Sequence, residues 1–228
     1  MDNPLESSRG MFIPARPDAY TAEPTLKRSI AVAGTIGAGK TSLVSWLVKR
    51  YGVVPFYEPN EQNPYLADFY ADMARWAMQS QCFFLAHKLE LHQELAACDR
   101  PAVIDRTIYE DAEIFAKNLH LQRHIDKRDW QVYQRLYEGI ARSLPPPDVL
   151  IALTCTVRTA KKRIRLRARA MEQSIPDAYL RRLHGLYEAW FDSYKLSPIV
   201  RIRTDEMDYV EDLIDLIELQ RTLDAALR

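Results

Sequence analysis

The chain has 228 residues, with 31 basic and 31 acidic side chains and a formal net charge of zero. Hydrophobic residues at 47% and charged residues at 27% are globular values and argue against a disordered chain. No apolar stretch reaches the roughly 18 residues that a transmembrane helix needs, and balanced charge tells against a general nucleic-acid binder, which carries a basic excess.

In chain order, residues 1–27 are rich in Pro, Ser and Asp and lack the apolar segment of a secretory signal. They read as a flexible leader ahead of a single domain, 28–228. Five short apolar runs follow: 29–33 (SIAVA), 53–57 (VVPFY), 101–105 (PAVID), 148–154 (DVLIALT) and 198–203 (PIVRIR). Runs of this length without polar alternation predict strands buried on both faces. Helix-compatible stretches at 40–50, 65–97, 109–144, 159–195 and 208–227 separate them. That alternation predicts an α/β fold, a five-stranded parallel sheet flanked by helices. Cys82, Cys98 and Cys155 are scattered with no C-x-x-C pair; they fit small buried hydrophobes in a reducing cytoplasm rather than disulfides or a zinc site.

Gly34-Thr35-Ile36-Gly37-Ala38-Gly39-Lys40-Thr41 matches G-x-x-x-x-G-K-[ST] between the first strand and the first helix, the context that a phosphate-binding loop requires. Its glycines let successive N–H groups turn towards a phosphate, and the helix N-terminus adds positive potential. Lys40 would reach the β- and γ-phosphates, and the Thr41 hydroxyl would ligate Mg²⁺. Ligands of open α/β sheets bind at the carboxyl ends of strands. Two such ends carry charge here, Glu58 after the second run and Asp105-Arg106 after the third. A lone carboxylate near a phosphoryl acceptor suits a kinase that takes a proton from a hydroxyl. A turn carboxylate at Glu58 and a structural ion pair at Asp105-Arg106 are the plainer readings.

Lys161, Lys162, Arg163, Arg165, Arg167 and Arg169 crowd six cations into nine residues. A solvated helix and an RNA-binding face both show such runs. Downstream of a phosphate loop, an arginine lid (about 163–175) closing on triphosphate fits better, because a loose, charged transition state needs several cations.

Taken together, these elements resemble the deoxynucleoside kinase family, and within it the bacterial deoxyadenosine/deoxyguanosine branch. The matching segments are the loop, Tyr57-Glu58-Pro59, residues 63–76, Gln81 with Phe83-Phe84-Leu85, residues 105–117 (DRTIYEDAEIFAK), residues 163–172 and residues 179–190. The resemblance implies a P-loop kinase fold, ATP as donor with Mg²⁺, and a homodimer packed through helices, with aromatics of 65–97 or 130–137 as candidates. It implies Glu58 as general base, Arg106 as its orienting partner and Asp105 in the Mg²⁺ shell. Arg163, Arg167 and Arg169 match the lid arginines. Tyr70 and Glu172 match the residues on the deoxyribose 3′-hydroxyl, Gln81 the amide reading the base, and Phe115 and Phe84 the stacking rings.

The spacing of Gln81 and Lys88, seven apart, puts both within about 20° of one helix face. A buried amide suits the adjacent donor and acceptor of adenine or cytosine. Related patterns pair an Arg at the Lys88 position with the acid that is Asp111 here; lysine lacks the planar fork. The expected acceptor is a purine deoxynucleoside, deoxyadenosine first, with deoxyguanosine or deoxycytidine as the broader alternative. A nucleotide- or RNA-binding protein without catalysis is the alternative from another class.

Overall fold

The computed structural model of the chain describes residues 26–57, 62–169, 175–205, 207 and 213–228. Strand β1 (Ser29–Gly34) leads through the glycine-rich loop into α1 (Lys40–Tyr51), β2 (Val54–Phe56), α2 (Leu66–Ala71), α3 (Met73–Ala97) and β3 (Ala102–Asp105). Next come α4 (Ile108–Glu110), a π-helical turn (Asp111–Ala116), α5 (Lys117–Leu121) and α6 (Lys127–Ser143). Strand β4 (Val149–Thr154), α7 (Val157–Arg167), α8 (Asp177–Ser193), β5 (Ile199–Arg203) and α9 (Leu213–Leu227) complete the described elements.

The five strands form one parallel sheet in the order β2-β3-β1-β4-β5, as the five apolar runs and their alternation with helices predict. Side chains alternate across a strand, and here both faces are covered. Ala31, Ala33, Ile104 and Leu150 pack with Leu85, Tyr133 and Tyr187 of α3, α6 and α8. Ile30, Val32, Val103 and Ile151 pack with Leu43 and Leu47 of α1 and with Leu219 and Leu223 of α9. The chain leaves β1 towards one edge of the sheet and returns past it to β4. A ligand crevice therefore opens at the carboxyl ends of the central strands.

Three of the helix-compatible stretches each hold more than one helix. The 65–97 stretch divides at Asp72 (φ −145°, ψ 87°), whose side chain accepts from the Arg75 N–H and starts α3. The 109–144 stretch contains the π-helical turn and a left-handed Arg123 (φ 64°), after which Asp126 caps α6 through the N–H groups of Arg128 and Asp129. The 159–195 stretch stops at a left-handed Ala168 (φ 55°). Periodicity alone does not register such breaks, because each flank keeps its own apolar face. Residues 1–25 of the expected leader and 170–174 of the expected lid lie outside the described residues. Among those described, no helix is long and apolar enough to cross a membrane.

Candidate active site

The loop from Gly34 to Thr41 curls around its own lysine. The Lys40 ammonium donates to the carbonyls of Gly34 (2.8 Å) and Thr35 (3.0 Å), so its charge sits inside the curl that a phosphate would enter. Gly37 has φ +81°, and a Cβ there would stand 2.6 Å from the Ala160 carbonyl of α7. Only glycine combines that backbone with that approach. Ala38 is buried in the core on the α1 face of the sheet, while Ile36 is half-buried against the core on the other face. Gly39 opens α1 in the left-handed region.

At the end of β3 the chain turns sharply. The Arg106 N–H donates to the Val32 carbonyl of β1 (3.0 Å), and Arg106 itself is left-handed, φ 69°. Asp105 is buried and accepts from the Thr41 hydroxyl at 2.9 Å. A hydroxyl and a carboxylate meeting beside a phosphate loop are hard oxygen donors, and this set fits Mg²⁺, which takes one or two protein oxygens and leaves the rest to phosphate and water. The Arg106 guanidinium lies over the Phe115 ring (4.6 Å) and donates through Nη1 to the Tyr187 hydroxyl (3.2 Å).

Helix α3 lays Gln81, Lys88 and His92 on one buried face, as the seven-residue spacing predicts. Gln81 is 4% exposed, and among the described residues nothing donates a hydrogen bond to its Oε1. Such an oxygen is costly to bury unless a ligand supplies a donor. Asp111, also buried, sits on the π-helical turn against which α3 packs. Lys88 takes another direction: its ammonium donates to the carbonyl of Arg106 (2.8 Å) and, at 3.4 Å, to that of Asp105. His92 Nε2 accepts from the Ile108 N–H (3.2 Å). Burial and the nearby Lys88 charge lower its pKa to about 4, so the ring is neutral near pH 7. Tyr70 and Phe84 are half-buried on α2 and α3 and pack against the same core as Phe115.

Arg163 of α7 reaches back to the sheet edge. Its Nη1 donates to the Thr204 hydroxyl (2.9 Å) and lies 3.5 Å from the Ala38 carbonyl. Thr204 Oγ1 in turn donates to the Ala38 carbonyl (3.0 Å). Asp205 accepts from the Thr156 N–H and the Thr159 hydroxyl at 2.8 Å each, holding the start of α7 to the end of β5. Arg167 and Arg169 are exposed at the end of the same basic run. Glu58 and Glu172 lie outside the described residues.

Two buried polar residues join this constellation without having been singled out from the sequence. Glu110 Oε1 accepts from the Tyr187 hydroxyl (2.8 Å) and the Gly34 N–H (3.2 Å), and its Oε2 accepts from the Thr107 N–H (2.8 Å). Burial pushes the Glu110 carboxyl above the usual range, against the pull of the Arg106 and Lys40 charges. Thr107-x-x-Glu110 is a capping box, a pattern visible in the sequence itself. No local pattern marks Tyr187.

The sequence model of the deoxynucleoside kinase family matches residues 30–222. The chain is 35% identical over 185 residues to a deoxyadenosine/deoxycytidine kinase of Bacillus subtilis, covering 80% of this chain and 85% of that one. It is 34% identical over 209 residues to a deoxyadenosine kinase of Lactobacillus acidophilus, covering 87% and 96%. Among solved structures it is similar to a deoxyadenosine kinase of M. mycoides with bound dATP, with TM-score 0.76, 26% identity and coverage of 86% and 98%. The same enzyme with bound dCTP gives TM-score 0.74 at 28% identity and the same coverage.

Proposed function

The chain belongs to the deoxynucleoside kinase family, and on that premise we propose that it transfers the γ-phosphoryl group of ATP to the 5′-hydroxyl of a purine deoxynucleoside, deoxyadenosine first, giving dAMP and ADP. The observation that carries the reading is a buried Gln81, whose Oε1 has no donor among the described residues, on the helix whose Lys88 bonds the Asp105-Arg106 turn that also meets the phosphate loop at Thr41. The loop holds a triphosphate; the helix holds a base with an amino group to offer.

In this reading Gly34–Thr41 cradle the phosphates, and Lys40 turns from its loop carbonyls to the β- and γ-oxygens. Thr41 and Asp105 would hold Mg²⁺, which would neutralise charge on the β- and γ-phosphates. Glu58 accepts the proton of the 5′-hydroxyl, and Arg106 orients Glu58 and the 5′-oxygen. Arg163, Arg167 and Arg169 belong to a lid (about 163–175) that surrounds the transferring group with cations and excludes water. Tyr70 and Glu172 hold the 3′-hydroxyl. Gln81, with Asp111 beside it, reads the base, Lys88 acts behind them by fixing the Arg106 turn, and Phe115 and Phe84 stack on the base. The kinase forms one domain, 28–228, behind the leader. It works as a homodimer, for which Val132 and Leu136 offer exposed apolar surface on α6 beside α3. The free Cys82, Cys98 and Cys155 fit a reducing cytoplasm.

One observation favours a broader base range. Lys88 spends its ammonium on the Arg106 carbonyl, so no guanidinium fork reinforces base selection. The Bacillus relative is named for both deoxyadenosine and deoxycytidine. Steady-state kinetics with the four deoxynucleosides, ATP and Mg²⁺ decides between the readings. The highest kcat/KM for deoxyadenosine supports the first, and near-equal values for deoxycytidine or deoxyguanosine support the second. Turnover of none of the four overturns both. In the same assay Glu58→Gln should lower kcat by about two orders of magnitude or more, and unchanged kcat would remove Glu58 as the base.

A further inference from the structure

The catalytic role given to Arg106 raises the question of what holds its guanidinium. Its backbone is left-handed, so the side chain leaves the end of β3 in a direction that ordinary strand geometry does not set. Phe115 lies against one face of the guanidinium but fixes no rotation within its plane. An in-plane constraint comes from the Tyr187 hydroxyl, which accepts from Arg106 Nη1 and donates to Glu110 Oε1. Glu110 ties that hydroxyl to two neighbours of the reaction centre, the Gly34 N–H at the root of the phosphate loop and the Thr107 N–H beside Arg106.

Both residues carry more polarity than packing needs. Tyr187 is 2% exposed among Phe115, Trp190 and Phe191, where phenylalanine would fill the same space. Glu110 is fully buried. Polar groups are costly to bury unless they are matched, and here the matching partners run in one line from phosphate loop to guanidinium. A pure core role accounts for the rings and leaves that line without a reason.

We infer that Tyr187 and Glu110 are positioning residues that hold the Arg106 guanidinium in register with the phosphate loop, so that they govern kcat rather than deoxynucleoside binding. Tyr187 also belongs to α8, the first described helix beyond the basic run, so movement of that helix would be felt at Arg106 directly. The inference rests on the catalytic reading of Arg106, and its test separates the two.

The test is a double-mutant cycle in the full-length protein: wild type, Arg106→Ala, Tyr187→Phe and the double variant, each with kcat and KM for deoxyadenosine under saturating ATP. A displacement of Arg106 on the order of 1 Å should cost Tyr187→Phe about tenfold to a hundredfold in kcat. KM should stay within about threefold of wild type, and the double variant should be no slower than Arg106→Ala alone. Wild-type kcat in Arg106→Ala would overturn the catalytic reading and this inference with it. A slow Arg106→Ala beside a Tyr187→Phe of wild-type kcat would overturn the inference alone. So would fully additive losses, or a loss confined to KM. Glu110→Gln keeps the side-chain volume and runs through the same cycle, with the same outcomes, should Tyr187→Phe not fold.

Discussion

The Lys88 ammonium, on the same helix as Gln81, donates to the carbonyl oxygen of Arg106 at 2.8 Å. Lys88 is fully buried, and its bond falls on the one residue of the β3–α4 turn that has a positive φ. Holding such a conformation in a non-glycine residue costs on the order of 1–3 kcal/mol and persists where neighbours over-determine it. Lys88 on the carbonyl, Glu110 on the Thr107 N–H and His92 on the Ile108 N–H are those neighbours.

Lys88→Met should therefore slow the enzyme without changing what it prefers. Methionine fills the space of the stem but leaves the Arg106 carbonyl without this donor, a loss of about 1–3 kcal/mol. The expected result is a kcat reduced about tenfold or more for each deoxynucleoside, with their rank order by kcat/KM unchanged. A lysine that read the base would instead reorder the four. The steady-state panel run on both proteins distinguishes these outcomes.

Gly37→Ala should damage the donor site. A methyl group there meets the Ala160 carbonyl at 2.6 Å, and alanine at φ +81° adds strain of about 1–2 kcal/mol. Because the obstructing atom is helix backbone, the loop rather than α7 has to move, and its N–H groups lose their convergence on phosphate. KM for ATP should rise at least about tenfold, and KM for the deoxynucleoside should change little. Initial rates with each substrate varied in turn, together with a thermal melt, check this.

The parts of this molecule that were legible in the sequence are those built from local pattern. The runs at 101–105 and 148–154 announce central strands because their Val, Ile and Leu side chains are buried on both faces. The phosphate loop announces itself because its backbone demands glycine at Gly37 and its chemistry demands Lys40. Their seven-residue spacing puts Gln81 and Lys88 on one helix face, but spacing says nothing of where an ammonium ends, and that of Lys88 donates to the carbonyl of a turn. The break at Asp72 was written as a capping side chain inside an otherwise continuous helical pattern. Glu110 and Tyr187 were out of reach for a different reason: their hydrogen bond spans 77 residues, and neither partner alone differs from a core or cap residue.

His92 gives the fold a measurable acid limb. In the folded chain, burial and the Lys88 charge hold its pKa at about 4, below the ordinary value of 6.5. Between those values the unfolded chain binds the proton and the folded chain does not, so stability rises with pH across that window. Read downwards, the contribution is complete above pH 6.5 and is lost as the pH falls towards 4. Its size is about 1.4 kcal/mol per pH unit, or about 3 kcal/mol in all. Protonation would also take away the lone pair that accepts from the Ile108 N–H, so the turn carrying Arg106 should loosen over the same range. His92→Gln removes this titration. Urea unfolding of both proteins from pH 7 to pH 4 should show the wild type losing about 3 kcal/mol more than the variant, and parallel curves would show that His92 is not the group responsible.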